Sequence, residues 1–161
     1  MKNRLLAALL LLLPLPASAV CLGCSCSIAI NSSVAFGVYD PLPGNSQDAA
    51  GRFTVSCTVG LLSLLGTYTV DLSTGGSGSY SPRKMSSGGN TLNYNLYMDE
   101  ARTTIWGNGT GGTSHVNNPS LIEIGTTTVI SYDIYGRILA NQQSTRTGNY
   151  TDSIVITVRL E

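Results

Sequence analysis

The sequence predicts an all-β protein, a single antiparallel sandwich. Three observations carry that expectation. Short runs alternate apolar and polar side chains, and helical spacing is almost absent. Clusters of Gly, Pro, Asn and Ser punctuate those runs with turn chemistry. Only 11% of the residues are charged, and Thr, Ser, Gly, Tyr and Val are abundant, which suits an exported β protein.

The first segment reads as an export signal. Lys2 and Arg4 precede an unbroken Leu/Ala run from Leu5 to Leu13, which Pro14 and Pro16 end. Ala17-Ser18-Ala19 supplies the small residues of a cleavage site, so residues 1–19 are expected to be removed after Ala19. The run is too short for a comfortable bilayer anchor, and no transmembrane segment is expected after cleavage. Val20 stands where a lipobox wants a small residue before Cys21, which argues against lipidation. Residues 20–161 form one expected domain, long enough for one core.

Val20 to Ile30 alternates like a strand, and Val34 to Tyr39 reads as its continuation after the polar break Asn31-Ser32-Ser33. Asp40 to Asn45 is a turn. Gly51 to Thr58 is the second clear strand, with Phe53, Val55 and Cys57 on one face, and Thr67 to Ser73 the third. Gly75 to Gly89 reads as a long loop, Thr91 to Met98 as a strand, and Trp106 to Gly112 as a glycine-rich loop. Gly112 to Pro119 is a polar loop carrying His115. Thr126 to Arg137 is the next strand.

Gly148 to Glu161 reads as one last strand, with Ile154, Ile156, Val158 and Leu160 on a single face. A sandwich that stops there leaves a strand position for another chain to fill.

Cys21, Cys24, Cys26 and Cys57 all survive cleavage, and an even count in an oxidising compartment implies disulfides with three possible pairings. Cys57 is the only distant cysteine and needs a partner in the N-terminal cluster if two bonds form. Cys26–Cys57 with a local Cys21–Cys24 loop is the preferred pairing. A four-thiolate metal site and redox chemistry at Cys21-x-x-Cys24 both fit that compartment poorly. Lys+Arg and Asp+Glu balance at nine each, and no basic patch exists to hold nucleic acid. His115, the one histidine, reads as a solvated loop residue without a nucleophile's supporting groups. Gly107 to Gly112 lacks the lysine and helix of a phosphate cradle, and Asp99-Glu100 lacks the surrounding carboxylates of a calcium loop. No catalytic residue, cofactor or metal is expected.

Several stretches together resemble the spore coat protein U domain family, to which archaic chaperone–usher pilus subunits belong. They are Cys26, Phe36-Gly37-Val38-Tyr39-Asp40-Pro41, Gly51-Arg52-Phe53-Thr54-Val55-Ser56-Cys57 and Tyr68-Thr69-Val70-Asp71-Leu72-Ser73. Arg83-Lys84-Met85, Leu92-Asn93-Tyr94-Asn95-Leu96-Tyr97, Trp106-Gly107-Asn108-Gly109, Tyr135-Gly136-Arg137-Ile138 and Gly148-Asn149-Tyr150-Thr151-Asp152 follow in the family's order. The resemblance implies an immunoglobulin-like sandwich lacking its final strand, and the family's disulfide falls on Cys26 and Cys57. It implies a non-enzymatic pilus or fimbrial subunit that travels through the periplasm to the cell surface. The implied partners are a periplasmic chaperone, an outer-membrane usher and neighbouring pilus subunits, with adhesion and biofilm as the setting. Ile154, Ile156, Val158 and Leu160 would then line the strand-acceptor groove.

One departure from the family pattern matters. Only Val20 to Ser25 precede Cys26, and this stretch carries two further cysteines. Such an end is too short to serve as a donor strand, so the chain is expected to receive a strand without giving one, as a tip or other terminal subunit would. The alternative is a self-contained secreted spore-coat or matrix protein, in which Val20 to Ile30 folds back to complete its own sheet.

Overall fold

A computed structural model describes residues 23–42, 44–60, 66–122 and 125–160. The segment expected to be the signal, together with Cys21, lies outside the described residues. The described residues form eight strands: β1 (Ser25–Ser32), β2 (Gln47–Thr58), β3 (Gly66–Leu72), β4 (Arg83–Ser87), β5 (Asn90–Tyr97), β6 (Val116–Ile122), β7 (Thr127–Ile138) and β8 (Ile156–Leu160). A single 3-10 turn at Gly75–Ser77 is the only helical element among the described residues. No helix there is long and apolar enough to cross a membrane.

The strands form two antiparallel sheets, one of order β1-β2-β7-β5-β4 and one of order β6-β3-β8. Alternation on β2 sends Phe53, Val55 and Cys57 inward, where Tyr68, Val70 and Leu72 of β3 meet them from the other sheet. Leu92, Tyr94 and Leu96 of β5 and Ile138 of β7 complete that layer. Trp106 lies at the centre, 1% exposed, and its indole N–H donates to the Val70 carbonyl at 3.0 Å. Its ring packs 5.7 Å from Phe53 and 6.2 Å from Tyr132. Buried aromatics that also satisfy their polar atoms give a core one arrangement, because alternatives strand a donor.

Arg83 is fully buried at the start of β4 and joins the two sheets. Its guanidinium donates to the Ser73 carbonyl at 3.0 and 2.9 Å, to Asn95 Oδ1 at 2.8 Å and to the Trp106 carbonyl at 2.6 Å. Burial pushes its pKa down from the ordinary value, against the favourable fields of Tyr94, Tyr80 and Asp152.

Four sequence expectations are corrected. Val34 to Tyr39 is not a continuation of β1: the chain leaves the sheet after Ser32 and crosses over Gly51 and Gly136. A Cβ on Gly136 would stand 2.5 Å from Val34 and 2.7 Å from Phe36, so the crossing needs glycine there. The loop expected from Gly75 to Gly89 contains β4. The polar loop around His115 runs into β6, an edge strand whose Pro119 is tolerated because no strand among the described residues pairs with its outer side. Finally, only Ile156–Leu160 of the expected last strand is strand. Residues 145–153 instead form a strap, held to β4 by reciprocal backbone bonds between Thr151 and Ser86 of 2.9 and 3.1 Å.

Candidate functional site: an open strand edge beside an apolar groove

β8 ends the three-stranded sheet. It pairs with β3 from Tyr68↔Leu160 to Leu72↔Ile156, and among the described residues no strand pairs with its other side. The Val155 carbonyl accepts from the Ser73 N–H at 2.9 Å, which fixes the ladder's phase. Val155, Thr157 and Arg159 therefore turn their backbone groups toward β3, and alternation turns those of Ile156 and Val158 to the open side. Ile154, Ile156, Val158 and Leu160 all pack inward against the core, whereas Val155 is 63% exposed. The same residues thus present apolar side chains inward and free backbone groups sideways.

Beside this edge lies a cavity of about 750 Å³. Ile154 and Ile156 form one wall, and the crossing segment from Ser33 to Tyr39 forms the other. Phe53, Leu92, Tyr94, Leu96, Ile134 and Ile138 supply its floor from the five-stranded sheet. Val158 and Leu160 continue the inward face of β8 beyond the cavity.

The strap closes one end. Asp152 accepts from Tyr94 Oη–H at 2.7 Å and from the Gly76 N–H at 2.8 Å, which ties it to β5 and to the 3-10 turn. Gly75 has φ +67, and a Cβ there would lie 2.1 Å from the Asp152 carboxylate, so a side chain at this position would expel the clamp.

The opening reaches β1. Ile28 and Ile30 stand opposite the buried Val55 and Phe53 and so point to the inner face. They are nonetheless 37% and 61% exposed. Two inward-facing isoleucines this exposed mark a part of the core over which no strand lies among the described residues.

Cys26 and Cys57 are directly opposite on β1 and β2 and form a disulfide. Cys24 is also disulfide-bonded, and no free cysteine occurs among the described residues. His115 differs from its expectation as a solvated residue: its Nδ1 lies 2.8 Å from Asp71 Oδ1, and Asp71 also binds the Arg159 side chain on β8. Asp99 closes a turn, accepting from the N–H groups of Thr103 and Thr104, and these bonds lower its pKa to about 2. No metal-holding cluster occurs among the described residues. Sequence reading missed Ile28 and Ile30 on the exposed inner face of β1, and Val34 and Phe36, which line the cavity with Ile30. Inward register on an edge strand could have flagged the first pair, but the crossing segment carries no local signal of its path.

Two antiparallel sheets packed face to face in this order define an immunoglobulin-like sandwich. The chain belongs to the Spore Coat Protein U domain family, whose profile matches residues 15–157. It is 33% identical over 152 residues to Protein U of Myxococcus xanthus, covering 84% of this chain and 78% of that protein. Among solved structures it resembles the CsuC–CsuE chaperone–tip adhesion subunit pre-assembly complex of the archaic chaperone–usher Csu pili of Acinetobacter baumannii. That match has a TM-score of 0.52 at 18% identity and covers 84% of this chain but only 39% of the other, so the likeness is one of fold.

Proposed function

We propose that this chain is a non-enzymatic structural subunit of a surface pilus, assembled by strand complementation in a chaperone–usher pathway. The observation that carries the reading is the one-sided pairing of β8 beside an apolar groove. An inserted strand would pair with the free backbone groups of Ile156 and Val158 and place alternate apolar side chains over the groove floor. In this reading a periplasmic chaperone occupies the groove first, and an usher exchanges it for the strand of a neighbouring subunit. Membership of the family and the Csu-like fold support the reading. The amino-terminal 19 residues act as the export signal, and the mature protein reaches the cell surface.

Within the fibre the subunit accepts a strand and does not donate one. The six residues from Val20 to Ser25 span about 20 Å fully extended, at roughly 3.3 Å each, and a Cys21–Cys24 loop would shorten them further. A terminal, tip or adhesive position follows from that. The alternative of a self-contained coat or matrix protein needs the amino-terminal strand to close the open sheet. Against it stands β1, which among the described residues pairs only with β2 in the other sheet.

The test is co-expression with and without the chaperone of the same pathway, scored for soluble periplasmic subunit and a stable one-to-one complex. The reading expects soluble protein only with chaperone. Abundant, monomeric, stable protein without one contradicts it and favours the self-contained alternative.

A further inference from the structure

We infer that Asp71 is the positioning residue of strand acceptance: by holding Arg159 it keeps β8 docked on β3 while the place on the other side of β8 is empty. The inference rests on β8 being the accepting edge, as proposed above. Asp71 points away from the core, because Val70 and Leu72 on either side of it are core-facing residues of β3. Its side chain is nonetheless only 5% exposed. A carboxylate so far from water is costly unless its oxygens are bonded, and here each oxygen has its own partner. His115 Nδ1 lies 2.8 Å from Oδ1, and Arg159 Nη1–H donates to Oδ2.

The two partners come from opposite sides of β3. His115 immediately precedes β6, whose Val116 pairs with Val70, and Arg159 belongs to β8. The register places Thr157 opposite Asp71 and Arg159 opposite Thr69, so Arg159 leans along the ladder by two residues to reach the carboxylate. One side chain thereby ties the three-stranded sheet together across its outer face. The His115 ring is itself backed by the loop before it. A Cβ on Gly109 would stand 3.4, 3.4 and 3.5 Å from Cε1, Nε2 and Cδ2, which sets Gly109 against the ring face. Among the described residues no other ion pair reaches Asp71, Arg159 or His115.

Such a tie matters most for an edge that is empty. Only Val155, Thr157 and Arg159 turn backbone groups toward β3, and no strand among the described residues supports β8 from its other side. Of these three, Val155 is apolar and Thr157 uncharged, so Arg159 alone adds a charged contact to the short ladder. An incoming strand finds the pairing groups of Ile156 and Val158 in place only while β8 stays docked. If β8 frayed, the free energy of ordering it would be subtracted from the affinity for that strand.

The experiment compares the parent chain with Arg159→Gln, Arg159→Lys and Asp71→Asn. Asp133→Asn, which breaks the Arg52–Asp133 pair on the larger sheet, is the control for losing any one ion pair. Amide exchange of the free subunit and affinity for the chaperone of the same pathway are measured on each. Arg159→Gln and Asp71→Asn should speed exchange at positions 157 and 159 and weaken the complex, each by about tenfold, the size of one lost hydrogen bond to a charged group. Exchange in the middle of β2 should not change, whereas a general loss of stability would not single out β8. Arg159→Lys keeps the charge and should restore much of both effects, and Asp133→Asn should alter neither. The Arg159 side chain is 58% exposed, so its variants decide the matter if Asp71→Asn does not fold. Unchanged exchange at positions 157 and 159 overturns the inference, as does a loosened β8 that binds chaperone as well as the parent does. Failure of the parent itself to bind chaperone defeats the reading of the groove, and this inference with it.

Discussion

Arg83 shows how a single side chain holds the sandwich together. It binds the end of β3 through Ser73, β5 through Asn95 and the Trp106 segment through a carbonyl, so both sheets depend on it. Arg83→Met preserves bulk but strands at least two buried carbonyls, at about 1–3 kcal/mol each. The melting transition should fall well below that of the parent in calorimetry, and a change within error would remove Arg83 from this role. The surface carboxylates make a different prediction. Bonds from Arg137, Arg52 and the Thr103–Thr104 turn lower the pKa values of Asp48, Asp133 and Asp99 below the ordinary 3.8, the last to about 2. Folded values below unfolded ones mean that their stabilisation is fully present above about pH 4 and is lost as pH falls through the lowered values. Melting temperature should therefore hold from neutral pH down to about 4 and decline toward pH 2. A decline beginning above pH 5 would point to other groups.

At the scale of elements, β8 and the strap above it decide what the molecule can do. Ile156 faces the core beside the open edge, so Ile156→Asp places a carboxylate without a partner against the groove floor, at a cost of several kcal/mol. Soluble yield should collapse even with chaperone, whereas Val155→Asp, one residue away and outward, should be tolerated. Equal yields from the two would mean that the face of β8 has been misassigned. The Cys26–Cys57 bond spans 31 residues, and its loss should cost about 3–4 kcal/mol on the chain-entropy estimate, read as a lower denaturation midpoint of a Cys26→Ala/Cys57→Ala protein.

Strands whose side chains alternate over a buried face were legible in the sequence: β2, β3, β5 and β7 lie within a few residues of their expected spans. The missed elements owe their state to tertiary surroundings. β6 is Val-Asn-Asn-Pro-Ser-Leu-Ile, poor in strand formers, and it is strand because β3 offers it a ladder. Gly148 to Val155 looks like the start of β8, but Asp152 is drawn off by Tyr94 and Gly76. One wall of the groove, Ile154 and Ile156, could be read from alternation. The opposite wall could not, since only the small residues at Gly51 and Gly136 permit the chain to cross there.

Taken whole, the molecule is a sandwich closed on one side and open on the other. On the closed side the strap covers β4 at Thr151, while on the open side no strand among the described residues covers β8 or the inner face of β1. An exposed strand edge over apolar surface is an aggregation hazard unless a partner covers it. The most direct test is residue-resolved amide hydrogen exchange of the subunit, alone and with a strand-donating chaperone. The account predicts that Thr157 and Arg159 exchange slowly in both samples because β3 holds them. Ile156 and Val158 should exchange rapidly in the free subunit and become protected in the complex. Protection of Ile156 and Val158 in the free subunit, or no change on complex formation, would contradict the claim that β8 is an unfilled edge.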